Sequence, residues 1–571
     1  MFRFLFFPVI CVFLSCQSRM AADLIITNAI IWTANPLMPK AESIACKNGK
    51  IVFVGSSAVS LEYQNSQTKI IDAEGAFVMP GLIEGHGHFS GLGYSLIELN
   101  FLKSKSWEEI ENMVTDAAAK AKPGEWIVGR GWHQEKWDSL PKPDFYNYPS
   151  HENLSNKTPE NPVILYHASG HALFANRQAM MAAGVSKETN NPPGGAILRN
   201  ADGEAIGIFE ERAMHLIQDA HKTYKKSLSE KSLDSIWLEA IRKAEKECLR
   251  NGITSFQDAG STFQELNRYE KLALNKDLNL RLWVMARHSY KDMQPVISTY
   301  KKVGIGNHFY TCNAIKSEVD GALGAFGAWL LKPYEDKPGF TGQNTTDIYE
   351  VKKIADLAIK NDMQFCVHAI GDRANRVVLD IYEGVMNQNP SKKDRRWRIE
   401  HAQHLDTTDI PRFAKFGIIA SMQGVHCTSD APFVVKRLGL ERAKKGAYAW
   451  RSLLDNKVII ANGTDAPVED VNPFKSIYAS VTRRNYERKL DFFTEQKMTR
   501  EEAMISYTKG NAYAAFEDHL KGSLQEGKLA DIVILDKNLL DCGDEEILYT
   551  NVLYTIVHGK IKYQRDEPEK N

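Results

Sequence analysis

The chain has no surplus of either charge. Lys plus Arg and Asp plus Glu each total 71 of 571 residues, so the overall balance gives no reason to expect nucleic acid or an anionic membrane surface as partner. Its 8 cysteines contain no CxxC pair, which argues against a cysteine zinc knuckle. After the first 16 residues no apolar run is long enough for a transmembrane helix. Internal repeats and low-complexity tracts are missing as well. What is present is 43% hydrophobic and 25% charged residues, the composition of a globular enzyme with a large core and a small-molecule partner.

The N-terminus differs from the rest. Arg3 precedes an apolar run, Phe4 to Leu14, closed by Ser15 and Cys16, too short to span a bilayer as a mature helix. It resembles a bacterial lipoprotein signal over residues 1–16. That implies an acylated Cys16 and a tether from Gln17 to Ala22, holding the protein outside the cytoplasm. A plain secretory signal is the alternative, because Phe13 departs from the usual aliphatic position. Of the later cysteines, Cys312 and Cys366 sit in apolar strand-like runs and are expected to be buried thiols. The spacing names no disulfide.

Residues 23–79 alternate short apolar segments with Asn-Gly-Lys-type turns, and a similar fragment, Gly527 to Asp536 followed by Val552 to Val557, lies near the other end. Segments 23–79 and 520–565 are therefore expected to pair into one β-sandwich. Between them, over 80–519, strands alternate with amphipathic helices. The first strand ends in His86 and His88. Seven more candidates follow: Gly252 to Gln257, Leu280 to Ala286, Cys312 to Val319, Gln364 to His368, Trp397 to His401, Ile418 to Gln423 and Val458 to Asp465. Eight strands predict an α/β protein built on a (β/α)8 TIM barrel. Trp107, Ile110, Val114 and Ala118 keep helical spacing until Pro123-Gly124. The stretch from about 125 to 221 fits no simple βα unit and reads as an insertion after the first strand, a candidate cap for the barrel mouth.

Six residues lie at the ends of these apolar strands: His86, His88, Lys316, His368, His401 and Asp465. His86 and His88 stand at i and i+2, on one face of a strand, where two imidazoles can share a metal ion. A lone His-x-His is more often incidental than functional, and the other strand ends tip the balance toward a metal site. His404 competes with His401 for the sixth strand. A lysine at the position of Lys316 often only snorkels to the surface.

The motifs Pro80-Gly81-Leu82-Ile83-Glu84-Gly85-His86-Gly87-His88, Gly252 to Ser255, Val367 to Ala374, Ile399 to Gln403, Gly463 to Pro467 and Gly527 to Asp531 resemble the amidohydrolase superfamily. They are closest to its branch containing N-substituted formamide deformylases. The resemblance implies that His86, His88 and Asp465 hold one metal and that His368 and His401 hold another. Lys316 would bridge them as an N6-carboxylated lysine. It favours His401 over His404, because His401 directly follows Ile399-Glu400. Where the branch often has an arginine after the fourth-strand motif this chain has Phe326, so the resemblance does not carry an anion-binding role over to that loop.

Histidine nitrogens suit zinc, and one or two divalent ions are expected; manganese, iron or nickel also accept such a nitrogen and oxygen set. Asp465 is the expected proton acceptor and donor. His171, His133 and Arg373 are weaker substrate-binding candidates, Arg373 equally a partner of Asp372. The expected activity is hydrolysis of the C–N bond of an amide, formamide or cyclic amide. Alternatives are an ester or lactone hydrolase, a mononuclear deaminase on the same barrel, and a solute-binding pseudoenzyme.

Overall fold

A computed structural model of the chain describes residues 20–566 apart from 102–103, 135–136, 140, 142–143, 146–147, 168–171, 194 and 325. The expected leader over 1–16, with Cys16, and the candidate His171 lie outside the described residues. Eight apolar segments form parallel strands of one sheet: β1 Leu82–Gly87, β2 Ile253–Ser261, β3 Arg281–Ala286, β4 Tyr310–Glu318, β5 Gln364–Ala369, β6 Arg398–His401, β7 Ile419–Gln423 and β8 Ile460–Gly463. Their spatial order follows their sequence order. In register, Ser255 faces Arg281, Ala314 faces Gln364 and Ala420 faces Ile460. Every residue of β1, β3 and β7 is buried, as expected of parallel strands covered on both faces.

The first and last strands meet through hydrogen bonds. Asp465 N–H donates to the His86 carbonyl at 2.7 Å. Thr464 donates its N–H and its hydroxyl to the Glu84 carboxylate at 2.6 and 3.1 Å. The strands expected from apolar runs are these eight, with β2 running on to Ser261 and β8 ending at Gly463.

The described residues form two compact units, one holding those up to Gly87 and from Glu247 onward, the other those within His88–Lys246. Besides the barrel, the first unit contains two sheets drawn from both chain ends. One orders Lys50–Gly55, Ser43–Lys47, Leu24–Thr27 and Lys69–Asp72. The other orders Lys560–Gln564, Val552–Val557, Ile532–Leu535, Phe77–Pro80, Ile30–Trp32 and Lys40–Ala41. Leu24, Ile26, Ile44 and Ile71 of the first sheet pack with Ile31, Val78, Ile532 and Ile556 of the second, giving a β-sandwich.

The second unit is wider than the 125–221 insertion and takes in the helix Trp107–Ala118, capped by the Ser106 side chain accepting from Glu109 N–H. It has a sheet of its own, ordered Gly195–Arg199, Ala205–Glu211, Ala172–Ala175, Val163–His167, Ile127–Trp132 and Leu99–Asn100. Alternation sets Val163 and Leu165 in one apolar cluster with Trp107 and Ile127, and Ile164 in another with Trp126, Met214 and Ile217. A sheet with mixed strand directions explains why no βα pattern is legible there. Cys312 and Cys366 are buried, and no disulfide joins cysteines of the described residues. No helix of the described residues is long and apolar enough to cross a membrane.

Candidate metal centre

The C-terminal ends of the barrel strands carry the candidate residues. β1 delivers His86, fully buried. Its Nδ1–H donates to Glu400 Oε2 of β6 through a very short contact. Glu400 is an acceptor because it stays ionised: although burial raises its pKa, Arg398, His86 and Lys316 hold it well below the usual carboxylate range. Arg398 Nε lies 2.7 Å from Glu400 Oε1, and its other nitrogens donate to Gln257, the Gly85 carbonyl and Ser421 at 2.6 to 2.7 Å. Such an outer arrangement fixes tautomer and ring orientation.

Fixing Nδ1 as donor leaves a lone pair on His86 Nε2. That atom faces Asp465 Oδ1 at 3.5 Å. Two atoms bearing lone pairs confront each other there, an arrangement suited to a cation between them. Burial, with Lys316 second, holds the His86 imidazole down to about 4, so it is neutral and able to ligate at pH 7.

His401 follows the same logic. Its Nδ1–H donates to Gln423 Oε1 of β7 at 2.8 Å, and the Gln423 amide is oriented by donating to the Ser421 carbonyl at 3.2 Å. Burial, with His368 and His86 next, holds His401 well below the ordinary imidazole value. The His401 ring packs edge-on against His86 at 4.7 Å and His368 at 4.4 Å between centroids. His368 Nε2 is buried, has no hydrogen-bond partner among the described residues, and lies 3.6 Å from Asp320 Oδ1. Burial, helped by Lys316, lowers His368 to about 3.

Lys316 on β4 is 4% exposed, so it does not snorkel. Burial lowers its ammonium pKa despite the Glu400 and Asp465 carboxylates. A Cβ at Gly260, beside the Lys316 stem, would stand only 2.9 Å from Arg287 Cδ, so it is Arg287 that the glycine makes room for.

Two triples of potential ligand atoms emerge, each within 4.8 Å of one another: His86, His88 and Asp465, and His401, His426 and Asp465. His88 is placed by the peptide bond that continues β1. The backbone is held in the left-handed region at His401 (φ 72°), Ala402 (φ 43°) and Asp465 (φ 60°), and strain of this kind, about 1–3 kcal/mol per residue, collects at functional sites.

His426, on the short helix Gly424–Ser429 after β7, was not anticipated. The available signal was a histidine three residues beyond the predicted seventh strand, at the functional end of the barrel. Asp320, also unanticipated, anchors the loops after β4 and β5: its carboxylate accepts N–H bonds from Ile370, Trp329 and Gly371 at 2.8 to 2.9 Å. Burial raises it to about 7.

Other candidates have different surroundings. His404 is buried against Tyr448, with ring centroids 5.5 Å apart, and appears in neither triple. Arg373 donates to the Leu330 and Leu331 carbonyls at 3.0 and 3.2 Å, and Asp372 accepts from Leu331 N–H at 2.7 Å, so each holds the 329–331 loop. His133 belongs to the second unit and packs on His167 at 4.6 Å between centroids. Phe326 carries the Arg437 guanidinium over its ring at 3.8 Å; Arg437 also pairs with Asp336.

A barrel with this cluster at its functional end belongs to a recognised class. The amidohydrolase family model matches residues 69–563, and the chain belongs to that family. Among its relatives, Protein LONG AFTER FAR-RED 3 of Arabidopsis thaliana is 34% identical, covering 96% of this chain and 93% of its own length. N-substituted formamide deformylase of Arthrobacter pascens is 26% identical over 95% of this chain and 98% of the relative. An uncharacterized metal-dependent hydrolase from Pyrococcus horikoshii has a similar crystal structure, with TM-score 0.73 and 25% identity over 91% of this chain and 99% of that one.

Proposed function

We propose that the protein is a metal-dependent amidohydrolase that cleaves the C–N bond of an amide, formamide or cyclic amide. The observation that carries this reading is the confrontation of His86 Nε2, its lone pair set by Glu400, with the Asp465 carboxylate. His86, His88, His368, His401 and Asp465 are the residues that would hold one or two divalent ions, zinc being the natural match for the imidazoles. Such an ion supplies Lewis acidity, lowering the pKa of water and polarising a carbonyl.

The chain's own residues supply the rest. Asp465 accepts the proton of the attacking water and hands it to the leaving nitrogen. Lys316 is suited to the carboxylated state that the family resemblance implies, because only the neutral amine reacts with carbon dioxide, and burial favours that form. The similarity to a formamide deformylase makes small N-acyl and N-formyl amines the first substrates to try. The lipid-anchored, extracytoplasmic placement suggested by residues 1–16 stands as part of the same proposal, checked by mass spectrometry of Cys16.

The test is hydrolysis by the full chain of a panel of N-formyl amines, N-acyl amines, cyclic amides, esters and lactones, before and after chelation and after adding back zinc or manganese. At least one amide cleaved, lost on chelation and restored by metal, is the expected result. Cleavage of esters or lactones alone would replace the proposal with the ester reading. Tight binding of panel compounds without turnover or metal would make this a binding protein.

A further inference from the structure

The histidines at the barrel mouth do not share one hydrogen-bonding pattern. His86 and His401 each donate from Nδ1 to an oxygen, Glu400 Oε2 and Gln423 Oε1, which leaves Nε2 as the lone-pair atom. His426 is opposite. Its Nδ1 lies 3.1 Å from Gln403 Nε2, an amide nitrogen that can only donate. His426 Nδ1 is therefore the acceptor, and in a neutral ring the proton sits on Nε2.

That N–H is buried and has no hydrogen-bond partner among the described residues. It faces Asp465 Oδ2 at 3.9 Å, beyond hydrogen-bond range. The ring is nearly parallel to His401, at 12° with centroids 6.2 Å apart. Its helix is held close: Gly424 N–H donates to Asn462 Oδ1 at 2.9 Å, Val425 N–H donates to Ser476 Oγ at 3.1 Å, and a Cβ on Gly424 would meet the Ser476 carbonyl at 2.4 Å. Gln403 is buried too, its main-chain carbonyl accepting from Tyr448 N–H at 2.6 Å. An imidazole fixed from both sides, with a desolvated donor beside the proton-transferring carboxylate, is short of one acceptor.

We propose that His426 is a catalytic hydrogen-bond donor to the oxygen of the scissile carbonyl, and not a further metal ligand. This rests on the metal-hydrolase reading above. As water adds to the carbonyl carbon, the C=O pair moves onto oxygen, and the Nε2–H of His426 is positioned to stabilise that charge while keeping its proton. The role goes beyond the expected ligand set, which uses no residue of the seventh strand or its helix.

The experiment compares the metal-loaded full chain with H426A, H426Q and Q403E, measuring metal content, kcat and KM on an amide that the parent cleaves. In H426A the metal content stays at the parental value while kcat falls about 10²-fold, the usual loss for one such donor, with KM little changed. H426Q, which can still offer an amide N–H, recovers about tenfold of that loss. Q403E can only accept from Nδ1, moves the ring proton off Nε2, and lowers kcat as H426A does, with the imidazole still in place. Loss of metal from H426A would make His426 a ligand and overturn the proposal, and so would a kcat within about threefold of the parent. A parent that binds no metal and cleaves no amide would instead defeat the hydrolase reading itself, and this proposal with it.

Discussion

The two ends of the barrel bury polar groups in opposite ways. At the N-terminal end of β3, Arg281 donates to Asp531 at 2.6 and 2.9 Å and to the Asn307 and His308 carbonyls at 3.0 and 3.2 Å. Asp531 also accepts from His558 N–H at 3.0 Å, and the guanidinium lies over Phe309 at 4.7 Å. There the guanidinium donors meet carboxylate and carbonyl acceptors. At the C-terminal end, Nδ1 atoms are carefully held while Nε2 atoms and a carboxylate face each other beyond hydrogen-bond range. The Arg281 cluster joins barrel to sandwich within one unit; the histidine cluster is the one that would hold metal under the proposed function. Burial alone therefore does not mark function.

Breaking the two clusters should give distinct phenotypes. The largest effect is expected for D465N, with kcat lower by up to about 10⁴-fold and an unchanged circular dichroism spectrum, since under the proposed function the proton carrier is lost and the fold is not. D531A should do the reverse: stability falls by about 3 kcal/mol in denaturant titration, because Arg281 is left buried and unpaired, while metal content is retained. E400Q comes next, with metal affinity weaker by about 10- to 100-fold in a competition titration, since His86 loses its carboxylate acceptor.

The smallest effect is in pH. Burial alone would raise Asp531, but Arg281 and the His558 N–H bond hold it below the usual range. A depressed carboxylate stabilises fully above its unfolded value, about 3.9, and that contribution is lost as pH falls through the folded value. The stability gap between parent and D531N should therefore be constant above about pH 5 and narrow toward about pH 3.

Much of this was readable in advance because strands in a parallel barrel are buried on both sides and so write themselves as apolar runs. Those runs locate His86, His401 and Asp465, which the fold then brings together. The acceptors that set the ring tautomers were not legible: Glu400 lies 314 positions from His86, and no local pattern encodes a contact of that range. His426 escaped because it sits on a helix beyond its strand, outside the period-two rule that exposed His86 and His88. The second unit hid its sheet for a related reason, its short strands running in mixed directions without the repeating strand-helix rhythm.

The most direct test of the contrast between the two ends is metal content per chain, measured by elemental analysis on the full-length parent, H86A, H401A and D531A after loading with zinc and desalting. One or two ions in the parent and in D531A, with loss from H86A and H401A, is the result this account predicts. No retained metal in a folded parent, or equal retention in all four proteins, would contradict it.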